Sequence, residues 1–281
     1  MSINEKPVWF ITGCSTGFGR ELALQALSQG FLTVVTARNP AKVEDIVAQY
    51  PGQAIALALD VTNPVQIMAA VKEAVERFGH IDVLVNNAGY GLEGAVEETS
   101  MEEVRQQYEV NVFGMIAMIQ AVLPHMRQRR SGHVVNISSM GGLTTFPALT
   151  IYNSTKFAVE GLSQGLAAEV KPIGIKVTIV EPGAFRTSWA GASMQHAAKV
   201  ISDYEATVGA ARTGLAARNG HQIGDPKKAA VIIVNAVQAE EPPLHLLLGP
   251  DAVLHVGRKL GALQAEIAQW APLSVSTSFT D

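Results

Sequence analysis

A doubly wound parallel α/β sheet is the fold that this 281-residue chain predicts, on three observations. Short runs rich in β-branched residues recur, helical segments separate them, and most of the runs are apolar almost throughout. Unbroken apolarity marks a parallel strand whose two faces are both covered by helices. Regular β–α alternation favours that sheet over a sandwich or a bundle.

Seven strands are expected at residues 8–12, 32–37, 54–60, 83–86, 133–137, 176–180 and 244–248. Helices are expected at 20–29, 40–49, 64–78, 100–128, 151–170 and 225–239. Pro40, Pro64 and Pro226 stand at helix starts, where the missing N–H costs no hydrogen bond. No Pro/Gly/Ser-rich linker divides the chain, so one domain spanning 1–281 is expected. Within it, 188–224 is the least patterned stretch, and 249–281 extends beyond the last strand.

Hydrophobic residues make up 48% against 16% charged, a balance that suits a packed core and argues against disorder. Net charge is −4, and the basic trio Arg127, Arg129 and Arg130 precedes Ser131-Gly132, where a helix end favours positive charge. Nucleic-acid binding is therefore not expected. The single cysteine, Cys14, excludes an internal disulfide and fits a reducing compartment. The N-terminal residues lack the apolar core of a signal peptide, and no apolar run of transmembrane length is read, so a cytoplasmic protein without membrane insertion is expected. Seven histidines are scattered without an HExxH or Cys/His cluster, so no metal site is expected, and His221, His245 and His255 read as structural.

In such a sheet, ligands bind beyond the carboxyl ends of the strands. Those ends read Thr12-Gly13, Ala37-Arg38, Asp60-Val61, Asn86-Asn87-Ala88-Gly89, Ser138-Ser139 and Glu181-Pro182-Gly183. The first continues as Cys14-Ser15-Thr16-Gly17-Phe18-Gly19 into an amphipathic helix. Glycines there let the backbone turn tightly against a pyrophosphate, whose charge the helix N-terminus favours. The spacing departs from GxGxxG, and the position after strand one strengthens the reading. At the end of strand two, an acid would suit the ribose 2′-hydroxyl of NAD, whereas Arg38 suits a 2′-phosphate through charge-assisted bonds. The cofactor predicted is NADP(H) over NAD(H).

Tyr152 and Lys156 lie at i and i+4, a spacing that projects both from one helix face, with Ser139 thirteen residues upstream of the tyrosine. A free phenol has a pKa of about 10, so proton transfer near neutrality asks for a lowering of roughly three units, or about 4 kcal/mol. A neighbouring cation favours phenolate over phenol. Such a pair is usually an ordinary helix contact; the phosphate-type loop and the Asn-Asn-Ala-Gly strand end give it a chemical meaning.

With these pieces in register, the chain resembles the short-chain dehydrogenase/reductase family from about Pro7 to Leu248. The motifs come in the family's order: Thr12-Gly13-x-x-x-Gly17-x-Gly19, Asp60, Asn86-Asn87-Ala88-Gly89, Asn111, Ser139, Tyr152-x-x-x-Lys156, then Pro182-Gly183 with Thr187. The resemblance implies a Rossmann-type sheet of order 3-2-1-4-5-6-7. It implies that Ser15, Thr16 and Phe18 join the glycines around the cofactor, that Asp60 and Val61 border the adenine, and that Asn87, Ala88 and Gly89 line the cleft. Tyr152 and Lys156 would contact the nicotinamide ribose, and the backbone from Pro182 to Phe185, with Thr187, would hold the carboxamide. NADP-preferring members often carry a basic residue before the second glycine; here that residue is Thr16, which leaves Arg38 acting largely alone.

By the same resemblance, Tyr152 is the general acid or base, Lys156 lowers its pKa, Ser139 bonds the carbonyl oxygen, and Asn111 anchors a water leading from Lys156 to solvent. Ser138 competes for the serine role, but the thirteen-residue separation favours Ser139. The stretch 188–224, with Trp189, would be a substrate lid. Further walls are expected from Tyr90–Gly94 and from Met140–Leu149, including Phe146 and Leu149, with Phe185 near the reacting centre. These apolar walls suggest a lipophilic ketone, aldehyde or secondary alcohol. Competing readings are an NAD-dependent alcohol dehydrogenase working oxidatively and a non-catalytic NADP(H)-sensing protein. A homodimer or homotetramer through the helices at 100–128 and 151–170 is implied by the family alone.

Overall fold

The computed structural model describes residues 6–279. Its main sheet is assembled from β1 (Val8–Ile11), β2 (Leu32–Ala37), β3 (Ala54–Ala58), β4 (Val83–Asn86), β6 (Gly132–Ile137), β7 (Ile175–Pro182) and β9 (His245–Leu248). These run parallel in the order β3-β2-β1-β4-β6-β7-β9, the expected 3-2-1-4-5-6-7 when the seven are counted alone. The order reverses between β1 and β4, which opens a crevice at their carboxyl ends.

Alternation along each strand divides the core in two. Val8, Phe10, Val34, Leu84 and Val134 face α3 (Pro64–Phe78), α5 (Gly114–Arg129) and α6 (Thr150–Val170). Trp9, Ile11, Val35, Val85 and Val135 face α1 (Gly17–Ser28), α2 (Glu44–Gln49) and α8 (Pro226–Gln238). Local signals fix the helix starts: Asn63 accepts from the amides of Val65 and Gln66 ahead of Pro64, and Asp225 accepts from Lys227 ahead of Pro226. Ser100 and Glu103 close a reciprocal capping box on α4 (Met101–Tyr108).

Four features differ from the sequence reading. The helix expected over 100–128 is interrupted by a π-turn at Glu109–Phe113 between α4 and α5. The stretch 101–129 is also long and apolar enough by composition to cross a membrane. Here its Met115, Met118, Ile119, Val122 and Met126 are packed into the core. The segment 188–224 is structured: β8 (Met194–His196) pairs in parallel with β5 (Gly91–Glu93), and α7 (Ala210–Arg218) follows. Finally, the extension beyond β9 forms the 26-residue helix α9 (Pro250–Val275).

Candidate active site

A cleft of about 1310 Å³ lies across the carboxyl ends of the strands. Gly13, Ser15, Thr16, Gly17 and Phe18 form one wall, with Arg38 at the end of β2 and Asp60 and Val61 after β3. Close backbone packing dictates the glycines. A Cβ on Gly13, whose φ is +72°, would come within 3.0 Å of Ala88 Cα, and one on Gly19 within 2.5 Å of the Gly13 carbonyl. The floor is bonded to the loop: Thr12 Oγ1 accepts from the amides of Asn87 and Ala88 at 2.9 and 3.0 Å, and Asn87 Nδ2 donates to the carbonyls of Thr12 and Gly13. Thr16 makes no side-chain cap on α1, so the first amides of that helix are left facing the cleft. Open amides behind a glycine turn, beside an exposed arginine, fit the phosphates of a dinucleotide.

Not every predicted residue presents a free polar group to the cleft. Gly19 packs beneath the turn against Asn87. Asn111, in the π-turn, is buried; its Oδ1 accepts from Tyr90 N at 3.1 Å, and its Nδ2 donates to Tyr90 O and to Thr155 Oγ1. It thereby fixes the backbone just after Gly89. Asp60 turns its carboxylate back onto the Thr62 amide and hydroxyl, which shapes the turn after β3.

At the other end, Ser139, Tyr152 and Lys156 converge with Leu149, Phe185, Thr187 and Trp189. Tyr152 and Lys156 are brought together by α6, whose first turns pack over the end of β6, and Lys156 Nζ donates to the Ile137 carbonyl at 2.8 Å. Burial pushes the Tyr152 phenol up to about 12, against a smaller lowering by the Ser139 hydroxyl. Burial also pulls Lys156 down to about 8, with Glu160 opposing. The expected lowering of the phenol by Lys156 is thus not what the protein alone produces. The ammonium is directed at a carbonyl and stands 5.8 Å from the phenol ring centroid, and loss of water outweighs its field. The buried Ser138 hydroxyl is directed to Glu160, whereas the hydroxyl that acts on the phenol is that of Ser139.

Several contributors carried no sequence signal. Asp251, in the first turn of α9, accepts from the Ala184 amide at 2.7 Å and lies so close to Gly183 that a Cβ there would collide with its carboxylate. Ser188 Oγ donates to Thr16 Oγ1 at 2.9 Å and ties the segment after β7 to the glycine loop. Glu98 accepts from Arg212 and from the Ile201 amide, both at 2.8 Å, and Glu93 holds His196. These ties are long-range, and only folding reveals them. The walls are mixed: Met140, Phe146, Leu149 and Leu215 are apolar, while Arg105, Arg218 and His221 also face the cleft.

Burial pushes the Cys14 thiol up to about 12, which leaves it inert. A further titratable cluster lies behind Lys156, where Glu160, Glu181 and His245 gather and His245 Nδ1 is 2.6 Å from Glu181 Oε1.

Residues 7–198 match the family model described as short chain dehydrogenase. The chain belongs to the short-chain dehydrogenase/reductase family. Oxidoreductase BOA17 of Botryotinia fuckeliana is 42% identical over 96% of this chain and 99% of its own length. A Bacteroides thetaiotaomicron protein named 3-ketodihydrosphingosine reductase is 36% identical over 93% of this chain and 94% of its own. Among solved structures, a short-chain dehydrogenase from Streptomyces avermitilis superposes with a TM-score of 0.92 at 43% identity, covering 98% of this chain and 100% of that one. A Burkholderia phymatum member in complex with NAD gives 0.82 at 25% identity, covering 95% and 97%. ElxO with NADP bound gives 0.71 at 29%, covering 86% and 96%. This short-chain dehydrogenase/reductase is accordingly an oxidoreductase that uses a nicotinamide cofactor and acts on CH–OH or C=O groups of a small molecule.

Proposed function

We propose that this enzyme is an NADP(H)-dependent carbonyl reductase acting on a lipophilic ketone or aldehyde. The observation that carries the reading is the convergence of Ser139, Tyr152 and Lys156 at one end of a cleft whose other end is a glycine turn beside Arg38. When bound, the nicotinamide supplies or accepts the hydride. The chain's own groups supply the rest. Burial keeps the Tyr152 phenol protonated at neutral pH, as a general acid requires, and Ser139 stands beside it to bond the same carbonyl oxygen. Lys156, anchored on the Ile137 carbonyl, places a positive charge behind the oxygen as it gains negative charge.

Arg38 is exposed at the end of β2, where no acidic side chain competes for a ribose, and this supports the 2′-phosphate. Met140, Phe146, Leu149 and Trp189 support an apolar substrate, and the relative named 3-ketodihydrosphingosine reductase is consistent with a ketone. We further propose pairing of subunits through α4–α5 and α6, where Phe113 and Phe157 are exposed, and a cytoplasmic location, which suits the single free thiol.

A screen that follows NADPH oxidation during reduction of aryl ketones, keto esters, steroids and aldehydes, run in parallel with NADH, tests the reading. Preferential NADPH turnover that Arg38→Asp removes would support it. Equal use of both cofactors, or NADPH affinity unchanged in Arg38→Asp, would remove the cofactor assignment.

A further inference from the structure

Helix α9 leaves the body of the protein after its first two turns. Ala252 and Val256 are buried, yet every residue from Gly257 to Trp270 is exposed. The exposed part is not polar: Leu260 is 54% exposed, Leu263 40%, Ile267 60% and Trp270 54%. Solvated helices of this length are marginal without a packed face.

The spacing of these residues is specific. Val253, Val256, Leu260, Leu263, Ile267 and Trp270 alternate in steps of three and four, an a/d heptad that begins on the buried turn and runs outward without a break. A period of 3.5 gives a narrow seam suited to one partner helix. A membrane-surface helix instead combines a broad apolar face with a basic polar face. On the exposed part of α9, Arg258 and Lys259 are balanced in part by Glu266, and the seam is narrow.

The flanking charges choose the orientation. Lys259 and Glu266 precede Leu260 and Ile267 and hold the g positions, while the e positions are Gly257, Gln264 and Ala271. In a parallel pair g faces e, and no ion pair forms. In an antiparallel pair g faces g. The register that sets Leu260 against the partner's Leu263 and the exposed Val253 against the partner's Trp270 brings Lys259 beside the partner's Glu266, while Val256 stays held by its own protomer. Two-fold symmetry repeats that pair on the other edge.

We propose that α9 is a docking helix through which two copies of this chain associate antiparallel. The contact is separate from the cleft and from the α4–α5 and α6 faces, and it does not depend on the substrate or cofactor assigned above.

Sedimentation velocity of the full chain at micromolar concentration tests it, with circular dichroism and turnover as controls for folding. Leu260→Asp combined with Ile267→Asp should halve the mass of the assembly and leave both controls intact, since both residues are exposed and lie outside the core and the cleft. Lys259→Glu alone should raise the dissociation constant roughly tenfold, because two like-charge contacts replace two attractive ones. Adding Glu266→Lys to it should restore the wild-type mass. An unchanged mass in the Leu260→Asp, Ile267→Asp variant overturns the proposal. If wild-type protein then pellets with phosphatidylcholine/phosphatidylglycerol vesicles and that variant does not, the face belongs to a membrane surface. Failure of the double charge reversal to restore association overturns the antiparallel register.

Discussion

Trp189 lies over Tyr152, with ring centroids 5.0 Å apart. The segment after β7 therefore closes directly on the phenol, and its indole helps hold that phenol out of water, with 6% of Tyr152 exposed. Trp189→Ala should admit water to the reacting centre and remove an apolar wall. The expected outcome is a loss of roughly tenfold or more in kcat/KM, carried mainly by KM, with cofactor affinity little changed. Steady-state kinetics with the best substrate from the screen checks this, and a fall in kcat alone would count against a wall-forming role.

Tyr152→Phe keeps the ring that Trp189 covers and removes only the hydroxyl beside Ser139. Folding and cofactor binding should persist, because the ring still fills its place. Turnover should fall by about 10²–10⁴-fold, the range that a positioned general acid contributes. Near-normal turnover would take Tyr152 out of the mechanism.

The reduction needs both a protonated phenol and a charged Lys156. Burial raises the first to about 12 and lowers the second to about 8, so the lysine sets the alkaline limit. The charged ammonium is complete below about 8 and is lost as pH rises through that value. A kcat/KM profile for carbonyl reduction should therefore bend downward near pH 8 rather than near 12. Lys156→Arg, whose charge persists, should lose that bend, whatever its absolute rate.

Residues that act through local pattern were legible in the sequence. Buried parallel strands leave unbroken apolar runs, and the glycine turn, Asn87-Ala88-Gly89, Ser139 and the Tyr152–Lys156 pair stand at strand ends or on one helix face. Elements stabilised from a distance were not. β5 and β8 have three residues each, too few to show a period, and α7 buries no residue of its own, so it carries no apolar stripe. The π-turn at Asn111 is set by the Tyr90 backbone, 21 residues away. Burial acts on pKa values through the whole fold, and it reversed the direction expected for Tyr152 from its neighbouring cation.

Asp251 illustrates the same point and can be tested. Its carboxylate holds the Ala184 amide from 67 residues away and wedges against Gly183, at the place where the resemblance sets the carboxamide. Asp251→Ala should loosen that turn and raise the dissociation constant of the reduced cofactor roughly tenfold, the order expected for one lost charged hydrogen bond. Asp251→Asn retains an accepting oxygen and should retain most of the affinity. Fluorescence titration of the reduced cofactor separates the two variants; equal affinity in Asp251→Ala and wild type would show that the turn holds without this contact.

Behind the site, burial raises the Glu181 carboxyl from 4.5 to about 8 and that of Glu160 to about 7. Over the interval between 4.5 and about 8, the folded chain keeps a proton on Glu181 that the unfolded chain releases. Its contribution to stability is thus complete below 4.5 and is lost as pH rises through about 8. Glu181→Gln keeps a polar group opposite His245 and never ionises, so it removes this dependence. The melting temperature of the variant minus that of the wild type should grow by a few degrees between about pH 5 and pH 9. Glu160 pulls the same way in both proteins and cancels to first order, although its repulsion from an ionised Glu181 is relieved in the variant and enlarges the effect at alkaline pH. A difference that stays flat across that range would mean that Glu181 is already ionised in the folded protein, held as the carboxylate partner of His245.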